Sequence, residues 1–232
     1  MSRGRIAAFF DLDGTLLLAN SGELWMRRER EHGRIGRWQM LQALYYLTAY
    51  RFGVIDMESV MNEALKTVKG VPSETVREWT EEWFFQKVTP FVAPGALDAL
   101  DAHRARGHML VLLTSSSPYE SKAAGAYFAL DAWIHTRYEV DGSGRLTGRV
   151  VPPVCFGAGK VALAERFAAE RGVDLDASYF YSDSITDREM LERAGRPRVV
   201  HPDPRLRRLA RKRGWPVLDW RSSFVRGPLF AD

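Results

Sequence analysis

A short apolar run near the N-terminus ends in two closely spaced aspartates, and this boundary constrains the fold more than any other stretch. Residues 6–10 read IAAFF, the length of a strand, and residues 11–15 read DLDGT. An unbroken apolar run is typical of a strand buried in a parallel sheet, and open α/β sheets bind ligands beyond the carboxyl ends of such strands. Asp11 and Asp13 are therefore expected where chemistry takes place, and Gly14 lets the backbone approach a ligand closely. Because acidic turns are common, the two aspartates predict a function only if other residues of the chain complete a site with them.

The rest of the chain divides into a helical stretch and a region in which strands and helices alternate. Residues 20–91, approximately, read as helical throughout. After them, apolar runs of strand length alternate with helices, apart from a β-hairpin expected at 138–151. This alternation predicts an α/β fold with a three-layer, Rossmann-like parallel sheet. We expect residues 1–18 and 93–232 to form this core, with residues 19–92 inserted as a helical cap domain.

The helical stretch contains two expected caps and one ambiguous segment. Ser21 and Ser73 are placed to cap helices, and amphipathic helices are predicted over 57–69 and 73–86. Residues 38–55 are strongly apolar, but glutamine, arginine and glycine interrupt them. A packed core helix and a helix lying on a membrane surface both remain open for this segment.

Composition excludes several classes of protein. A net charge of +4 favours an anionic substrate but is too weak to indicate nucleic-acid binding. The basic run at 205–213 is best explained as the solvated face of a helix. Cys155, the single cysteine, cannot form an internal disulfide, and the apolar run near the N-terminus is too short for a signal peptide. We therefore expect a cytoplasmic protein.

Four groups of polar residues fall at the ends of predicted strands or at a predicted helix start. They are Asp11 and Asp13 after the first strand, Ser115 and Ser116 after the strand at 108–113, Lys160 at a helix start, and Asp183 and Asp187 after the strand at 178–181. Singly, each group is explained by turns and helix caps. Together, in this order, they form a specific pattern.

This pattern resembles the haloacid dehalogenase superfamily over essentially the whole chain. FDLDGT is similar to the first motif of that family, LLTSSS to the second, GAGK to the third and YSDSITD to the fourth. The helical stretch between the first two motifs resembles the cap of the phosphoserine-phosphatase-like subgroup, subfamily IB.

The resemblance implies a hydrolysis in two steps. Asp11 would attack a phosphate ester and form an aspartyl-phosphate, and Asp13 would act as general acid and then as general base. Mg²⁺ would be held by Asp11, the main-chain carbonyl of Asp13, and Asp183.

The remaining motif residues would bind phosphate or support the site. The resemblance places Ser115, Ser116, Lys160 and Gly14 around the phosphate, with Lys160 neutralising charge on the phosphate and on the nucleophile. Asp187 would lie behind the metal ligands and hold the site in register.

The implied function is a Mg²⁺-dependent phosphomonoesterase that acts on a small organic phosphate similar to phosphoserine or histidinol phosphate. Residues 115–117 read SSS and residues 182–187 read SDSITD, whereas phosphoserine phosphatases usually carry Ser-Gly-Gly and Gly-Asp-Gly-x-Asn-Asp, so the substrate stays open. Two alternatives remain. One is a phosphatase of lipid phosphates such as phosphatidylglycerophosphate, which would contact the membrane through the cap. The other is a non-catalytic phospho-switch, against which Asp13 and the helical stretch both argue. The oligomeric state cannot be predicted.

Overall fold

The computed structural model describes residues 4–31, 33, 36, 56–222 and 230, and its centre is a parallel sheet of six strands. In chain order the strands are β1 (Ala7–Phe10), β2 (Met109–Leu113), β3 (Ala132–Ile134), β4 (Arg137–Val140), β5 (Leu146–Val151), β6 (Tyr179–Ser182), β7 (Arg196–Val200) and β8 (Val217–Leu218). The sheet has the order β3-β2-β1-β6-β7-β8, and all of its pairs are parallel. Strands β4 and β5 form a separate antiparallel hairpin, as the sequence predicts.

Helices occupy both the stretch after β1 and the connections between the later strands. They are α1 (Ser21–Glu31), α2 (Met57–Leu65), α3 (Ser73–Trp83), α4 (Pro94–Arg104), α5 (Pro118–Tyr127), α6 (Ala158–Arg171), α7 (Arg188–Arg193) and α8 (Pro204–Arg213). The first three follow one another between β1 and β2 with no strand among the residues described there. The other five alternate with strands, which is the pattern of a parallel sheet.

The core lies on both faces of the sheet because successive strand residues point to opposite sides. Phe10 and Tyr181 belong to an apolar cluster with helices α4 and α5, whereas Phe9 and Phe180 belong to a second cluster with α6, α7 and α8. All four aromatic side chains are almost fully buried. The three-layer α/β fold predicted from the sequence is thereby confirmed.

Neither serine that was expected to cap a helix does so. Helix α1 is capped by Asn20, whose Oδ1 accepts a hydrogen bond from the Glu23 amide at 3.0 Å. Ser21 lies in the first turn, and its amide donates to Asp13 Oδ1 at 2.8 Å. The Ser73 hydroxyl lies 2.8 Å from the Tyr119 hydroxyl. These cap predictions were wrong. Helix α1 begins one residue earlier than expected and is capped by Asn20, whereas the Ser73 hydroxyl contacts Tyr119, a distant partner that a local pattern does not show.

The two chain segments that connect the first helices to the sheet run side by side. The Leu18 amide donates to the Phe91 carbonyl at 2.7 Å, and the Ala93 amide donates to the Leu16 carbonyl at 2.9 Å. These bonds place Leu18 and Phe91 next to each other beside the loop that follows β1.

No helix in the described part of the chain is long and apolar enough to span a bilayer. Segment 38–55, for which a membrane-surface helix remained open, lies outside the described residues.

Candidate active site

The predicted site residues emerge at one edge of the sheet because their strands are neighbours. Strand β1 lies between β2 and β6, and Phe10 is level with both Leu112 and Tyr181. Asp11 directly follows β1, Asp183 directly follows β6, and Ser115 lies two residues beyond β2. The parallel register therefore brings these three loops to the same end of the sheet.

Lys160 connects two of these loops. It lies in the first turn of α6 with only 3% of its surface exposed. Its ammonium group donates to Asp11 Oδ1 and to Asp187 Oδ2, each at 2.8 Å. Asp187 Oδ2 also accepts a hydrogen bond from the Ser182 hydroxyl at 2.7 Å. One buried cation thus holds two carboxylates in place.

Burial and charge shift the pKa values of these groups. Burial raises the pKa of Asp11 to about 8, although Lys160 opposes the rise, and the charge of Asp187 adds to it. Burial likewise raises the pKa of Asp183 to about 7. Burial alone would lower the pKa of Lys160, but the charges of Asp11 and Asp187 outweigh it and raise that pKa above its usual value.

The loop after β1 packs closely against Asp183. Gly14 has φ +73°, and a Cβ atom built on it would overlap the Asp183 carboxyl group. The Thr15 hydroxyl lies 3.5 Å from Asp183 Oδ1, and the Asp183 carbonyl accepts a hydrogen bond from the Asp203 amide at 2.9 Å. Asp183 is therefore held from two sides.

Asp13 points toward the start of α1. Its carboxyl group accepts the hydrogen bond from the Ser21 amide, and burial raises its pKa, although hydrogen bonding from Ser21 opposes the rise. Asp13 lies close enough to Asp183 for its charge to act on that carboxyl group.

The serines after β2 have different roles. Ser116 Oγ accepts a hydrogen bond from the Thr114 hydroxyl at 3.1 Å, and Ser117 caps α5 by accepting from the Glu120 amide at 3.0 Å. The Ser115 hydroxyl makes no hydrogen bond to any residue the structure describes, so it is available to a ligand.

A cavity of about 450 Å³ opens beside these carboxylates. Asp13, Gly14 and Asp183 line its floor. Its walls are formed by Leu18, Asn20, Glu23, Leu24, Arg27 and Phe91. Most of these wall residues lie on α1 or just before it, so the helical stretch supplies most of the surface that a ligand would meet.

The charge balance of the site fits a bound cation. The site holds four carboxyl groups, those of Asp11, Asp13, Asp183 and Asp187, and the Lys160 ammonium group pairs with two of them, Asp11 and Asp187. Within the described ranges, no three His, Cys, Asp or Glu side chains converge as a protein-only metal cage. Mg²⁺ does not need one, because it binds through one or two carboxylates and keeps waters and phosphate oxygens as its other ligands.

Sequence reasoning missed several polar residues that support the site. Ser182 binds Asp187, and Asp203 both caps α8 and binds the loop of Asp183 through its amide and its carboxylate. Glu120 is buried near Asp13, with a pKa that burial raises to about 8. Ser182 and Asp203 stand at strand or helix ends, where polar residues are common, so only their partners distinguish them.

Comparisons with known proteins agree on one family. A family model described as haloacid dehalogenase-like hydrolase matches residues 8–192. A probable phosphatase of Mycobacterium tuberculosis is 34% identical over 94% of this chain and 76% of its own length. A phosphoserine phosphatase of the same organism is 30% identical over 93% of this chain and 71% of its own. A histidinol-phosphatase of Neisseria meningitidis is 26% identical over 92% of this chain and 98% of its own.

One solved structure is similar over nearly the whole chain. A Bordetella pertussis protein described as having unknown function superposes with a TM-score of 0.83 at 30% identity. The match covers 92% of this chain and 98% of that one.

Proposed function

The chain belongs to the haloacid dehalogenase-like hydrolases and is a phosphatase of that family, and on this premise we propose that it is a Mg²⁺-dependent phosphomonoesterase of small organic phosphates. One observation carries the proposal. Asp11 is held by the buried Lys160, and the cavity opens beside the neighbouring residues Asp13, Gly14 and Asp183. A fixed carboxylate beside a cation is the arrangement that nucleophilic attack on a phosphate requires.

In the first step, a carboxylate oxygen of Asp11 attacks phosphorus. The bond between phosphorus and the ester oxygen breaks, and Asp13 donates its proton to that oxygen so that an alcohol leaves. Lys160 donates a hydrogen bond to Asp11. Its positive charge neutralises the negative charge that builds up on the phosphoryl group.

In the second step, Asp13 takes a proton from water, and the water oxygen attacks phosphorus. The bond between phosphorus and Asp11 breaks, and inorganic phosphate leaves. Asp11 is again a carboxylate and Asp13 is again protonated, so the cycle is closed. Ser115, Ser116 and the backbone at Gly14 bind the phosphoryl oxygens during both steps.

Asp11, the main-chain carbonyl of Asp13, and Asp183 would hold Mg²⁺. The ion, when bound, neutralises negative charge on the phosphate and on the nucleophile. Asp187 does not contact the substrate. It accepts a hydrogen bond from the Lys160 ammonium group at 2.8 Å and so holds Lys160 in position. We also propose that residues 19–92 form a cap domain, because α1 supplies much of the cavity wall.

The charged residues of the cavity wall favour a substrate whose leaving group carries an amine. Glu23 and Arg27 bring opposite charges to the cavity, and neither forms an ion pair with a described residue. Arg28, in contrast, pairs with Glu29 at 2.6 Å and lies over the ring of Trp25. An ammonium group beside Glu23 would satisfy that free carboxylate, and phosphoserine and histidinol phosphate both carry an amine.

The experiment measures phosphate release from a panel of phosphoserine, histidinol phosphate, glycerol phosphate and a dispersed lipid phosphate. We expect many turnovers per enzyme in Mg²⁺, none in EDTA, and a preference for the esters that carry an amine. Asp11→Asn should abolish turnover while the melting temperature stays within a few degrees of wild type.

Retained turnover in Asp11→Asn would refute the proposal. Stoichiometric labelling of the protein without phosphate release would instead identify a phospho-switch. Activity confined to the lipid phosphate would identify a lipid phosphatase.

A further inference from the structure

Two large apolar side chains are partly exposed in the wall of the cavity at the candidate active site. Leu18 is 43% exposed and Phe91 is 40% exposed, and both line that cavity. The other large apolar side chains that are exposed in the described part of the chain lie outside the cavity wall. Exposed apolar side chains scattered over a surface are ordinary, whereas apolar side chains grouped in a cavity are typical of a ligand site.

The backbone holds these two side chains next to each other. Leu17 and Val92 are antiparallel partners, and the Leu18 amide donates to the Phe91 carbonyl at 2.7 Å. Successive residues of such a pairing point to opposite faces. Leu17 is fully buried and Val92 packs against the core, so Leu18 and Phe91 share the other face. Residues opposite each other in this way have Cβ atoms about 5 Å apart, close enough to form one apolar surface.

This apolar pair, Leu18 and Phe91, is joined to the floor of the cavity. The Gly14 amide donates to the Ala19 carbonyl at 3.3 Å, so the residue that follows Leu18 contacts the loop of Asp13. In the proposed reaction, Asp13 protonates the leaving oxygen. The rest of the leaving group then extends from Asp13 into the space that the apolar pair lines.

The size and the polarity of the cavity favour a small amphipathic ligand. Its volume of about 450 Å³ lies in the range of small-molecule sites. Glu23 and Arg27 supply charge to its wall, and Leu24 supplies a further apolar side chain. Phosphoserine has a single methylene group besides its charged groups, so it would leave most of the apolar pair uncovered.

We propose that the apolar pair is a specificity subsite, which selects small phosphate esters whose leaving group carries an alkyl chain or a ring. The inference rests on the proposed function, because it takes the phosphate to be bound at the floor of the cavity beside Asp11. A leaving group that covers the pair gains affinity in proportion to the apolar area removed from water. Hydroxyl groups in the same position would lose their hydration and gain no such contact.

The first experiment measures binding without turnover. Ethyl, butyl and hexyl phosphonate keep one charged group, and their carbon–phosphorus bond is not an ester bond that a phosphomonoesterase cleaves. Their Kd values are measured by calorimetry on the full chain in Mg²⁺. We expect each added methylene to lower Kd about 2- to 4-fold, and hexyl phosphonate therefore to bind at least about 10-fold more tightly than ethyl phosphonate.

Substitutions in the apolar pair should reduce this chain-length effect. Leu18→Ala and Phe91→Ala should each reduce the ratio of the ethyl to the hexyl Kd about 3-fold or more, because each removes apolar contact area. Phe91→Leu keeps an apolar side chain and should retain most of the ratio. The two alanine variants test the pair independently, so either one suffices if the other does not fold.

The matched control is Phe85→Ala. Phe85 is 44% exposed, as Phe91 nearly is, but it is not part of the described cavity wall. Phe85→Ala should therefore keep the wild-type ratio.

The second experiment measures kcat/KM for ethyl, butyl, hexyl and decyl phosphate, for glycerol phosphate and for a dispersed lipid phosphate. The alkyl leaving groups have similar basicity, so differences among them report binding of the chain rather than the chemical step. We expect kcat/KM to rise from ethyl to hexyl phosphate and to gain nothing further with decyl phosphate, because a longer chain exceeds a cavity of this size. Glycerol phosphate should be a poorer substrate than butyl phosphate.

Equal Kd values for the three phosphonates in wild type would overturn the inference, as would a hexyl preference that persists in both alanine variants or that Phe85→Ala also loses. A gain that continues to decyl phosphate and to the dispersed lipid would overturn the assignment to small esters and identify a lipid phosphatase. Turnover of the esters with no effect of chain length would overturn the inference alone. Absence of turnover for every ester, with the phosphonate series as expected, would refute the hydrolytic function and retain the subsite.

Discussion

Gly14 occupies a position where any side chain would disturb the candidate active site. Its φ of +73° lies in the region that favours glycine, and a Cβ atom there would overlap the carboxyl group of Asp183. Asp183 cannot move freely, because the bond from the Asp203 amide holds its backbone. The absence of a side chain at Gly14 therefore allows the loops after β1 and β6 to approach each other.

We expect Gly14→Ala to lower kcat/KM about 100-fold or more, a loss of the size seen when a catalytic group is displaced by about 1 Å. The matched control is Gly107→Ala, since Gly107 has φ +68° and no atom within 4 Å of an added Cβ. In urea unfolding, both variants should lose about 1 kcal/mol of stability from backbone strain, and Gly14→Ala should lose more because of its overlap with Asp183. Equal activity in the two variants would show that the contact with Asp183 is unimportant.

At the level of secondary structure, a buried histidine links helix α4 to strand β6. His103 Nε2 shares a hydrogen bond of 2.7 Å with the Tyr181 hydroxyl, and His103 Nδ1 shares another of 2.7 Å with His108 Nδ1. Its side chain is fully buried, and burial, with help from the charges of His108 and Arg106, lowers its pKa to about 3. His103 therefore stays neutral in the folded protein.

This buried histidine predicts a loss of stability in mild acid. The unfolded chain binds a proton at His103 near the usual pKa of 6.5, whereas the folded chain does not until the pH is about 3. The neutral His103 therefore makes its full contribution to the free energy of unfolding above pH 6.5. That contribution declines by about 1.4 kcal/mol per pH unit as the pH falls from 6.5 toward 3.

The comparison uses His103→Gln, which keeps a polar group beside Tyr181 but cannot titrate. The free energy of unfolding is measured in urea at pH 7, 6 and 5. Between pH 6 and pH 5, it should fall by about 1 kcal/mol less in the variant than in wild type. Carboxylates and histidines that do not contact His103 contribute to both proteins and cancel in the difference, whereas His108 bonds to His103 and contributes to the difference. Parallel curves would show that His103 is not held neutral by the fold.

On the scale of the whole molecule, the hairpin of β4 and β5 is joined to the helical stretch rather than to the main sheet. The Val150 amide donates to Asn62 Oδ1 at 2.8 Å, and the Leu146 amide donates to the Val71 carbonyl at 3.0 Å. The hairpin follows β3 in the chain, yet it bonds to residues that precede β2. Any movement of the proposed cap would therefore carry the hairpin with it or break these bonds.

Asn62→Ala should destabilise the protein by about 1 kcal/mol, because it leaves the Val150 amide without its partner. Hydrogen exchange at Val150 should become faster, while exchange in β1 and β6 keeps its wild-type rate. Ser59→Ala on the same helix is the control. The Ser59 hydroxyl donates to Asp56, the residue before that helix, and among the described residues it makes no bond to the hairpin. Unchanged exchange at Val150 in Asn62→Ala would mean that other contacts hold the hairpin.

Much of this protein could be predicted before its structure. The buried strand IAAFF, the later alternation of strands and helices, and the motifs at strand ends predicted the α/β fold and the family, and both are confirmed. These predictions succeed because hydrophobic periodicity and motif spacing are local properties of the sequence. The same locality explains why Asp11, Ser115 and Asp183 were expected at one edge: parallel strands bring their carboxyl ends together.

Other features depended on contacts between residues far apart in the chain. The sequence predicted Ser21 as an ordinary capping residue, and no local pattern distinguished Glu120 or His103 from other polar residues. Only the folded chain brings Glu120 near Asp13, and only the sheet brings Tyr181 under α4. The sequence by itself determined which elements form and in what order. Tertiary structure decided which buried polar groups meet, because the burial and hydrogen bonding of a side chain depend on neighbours that the local sequence does not contain.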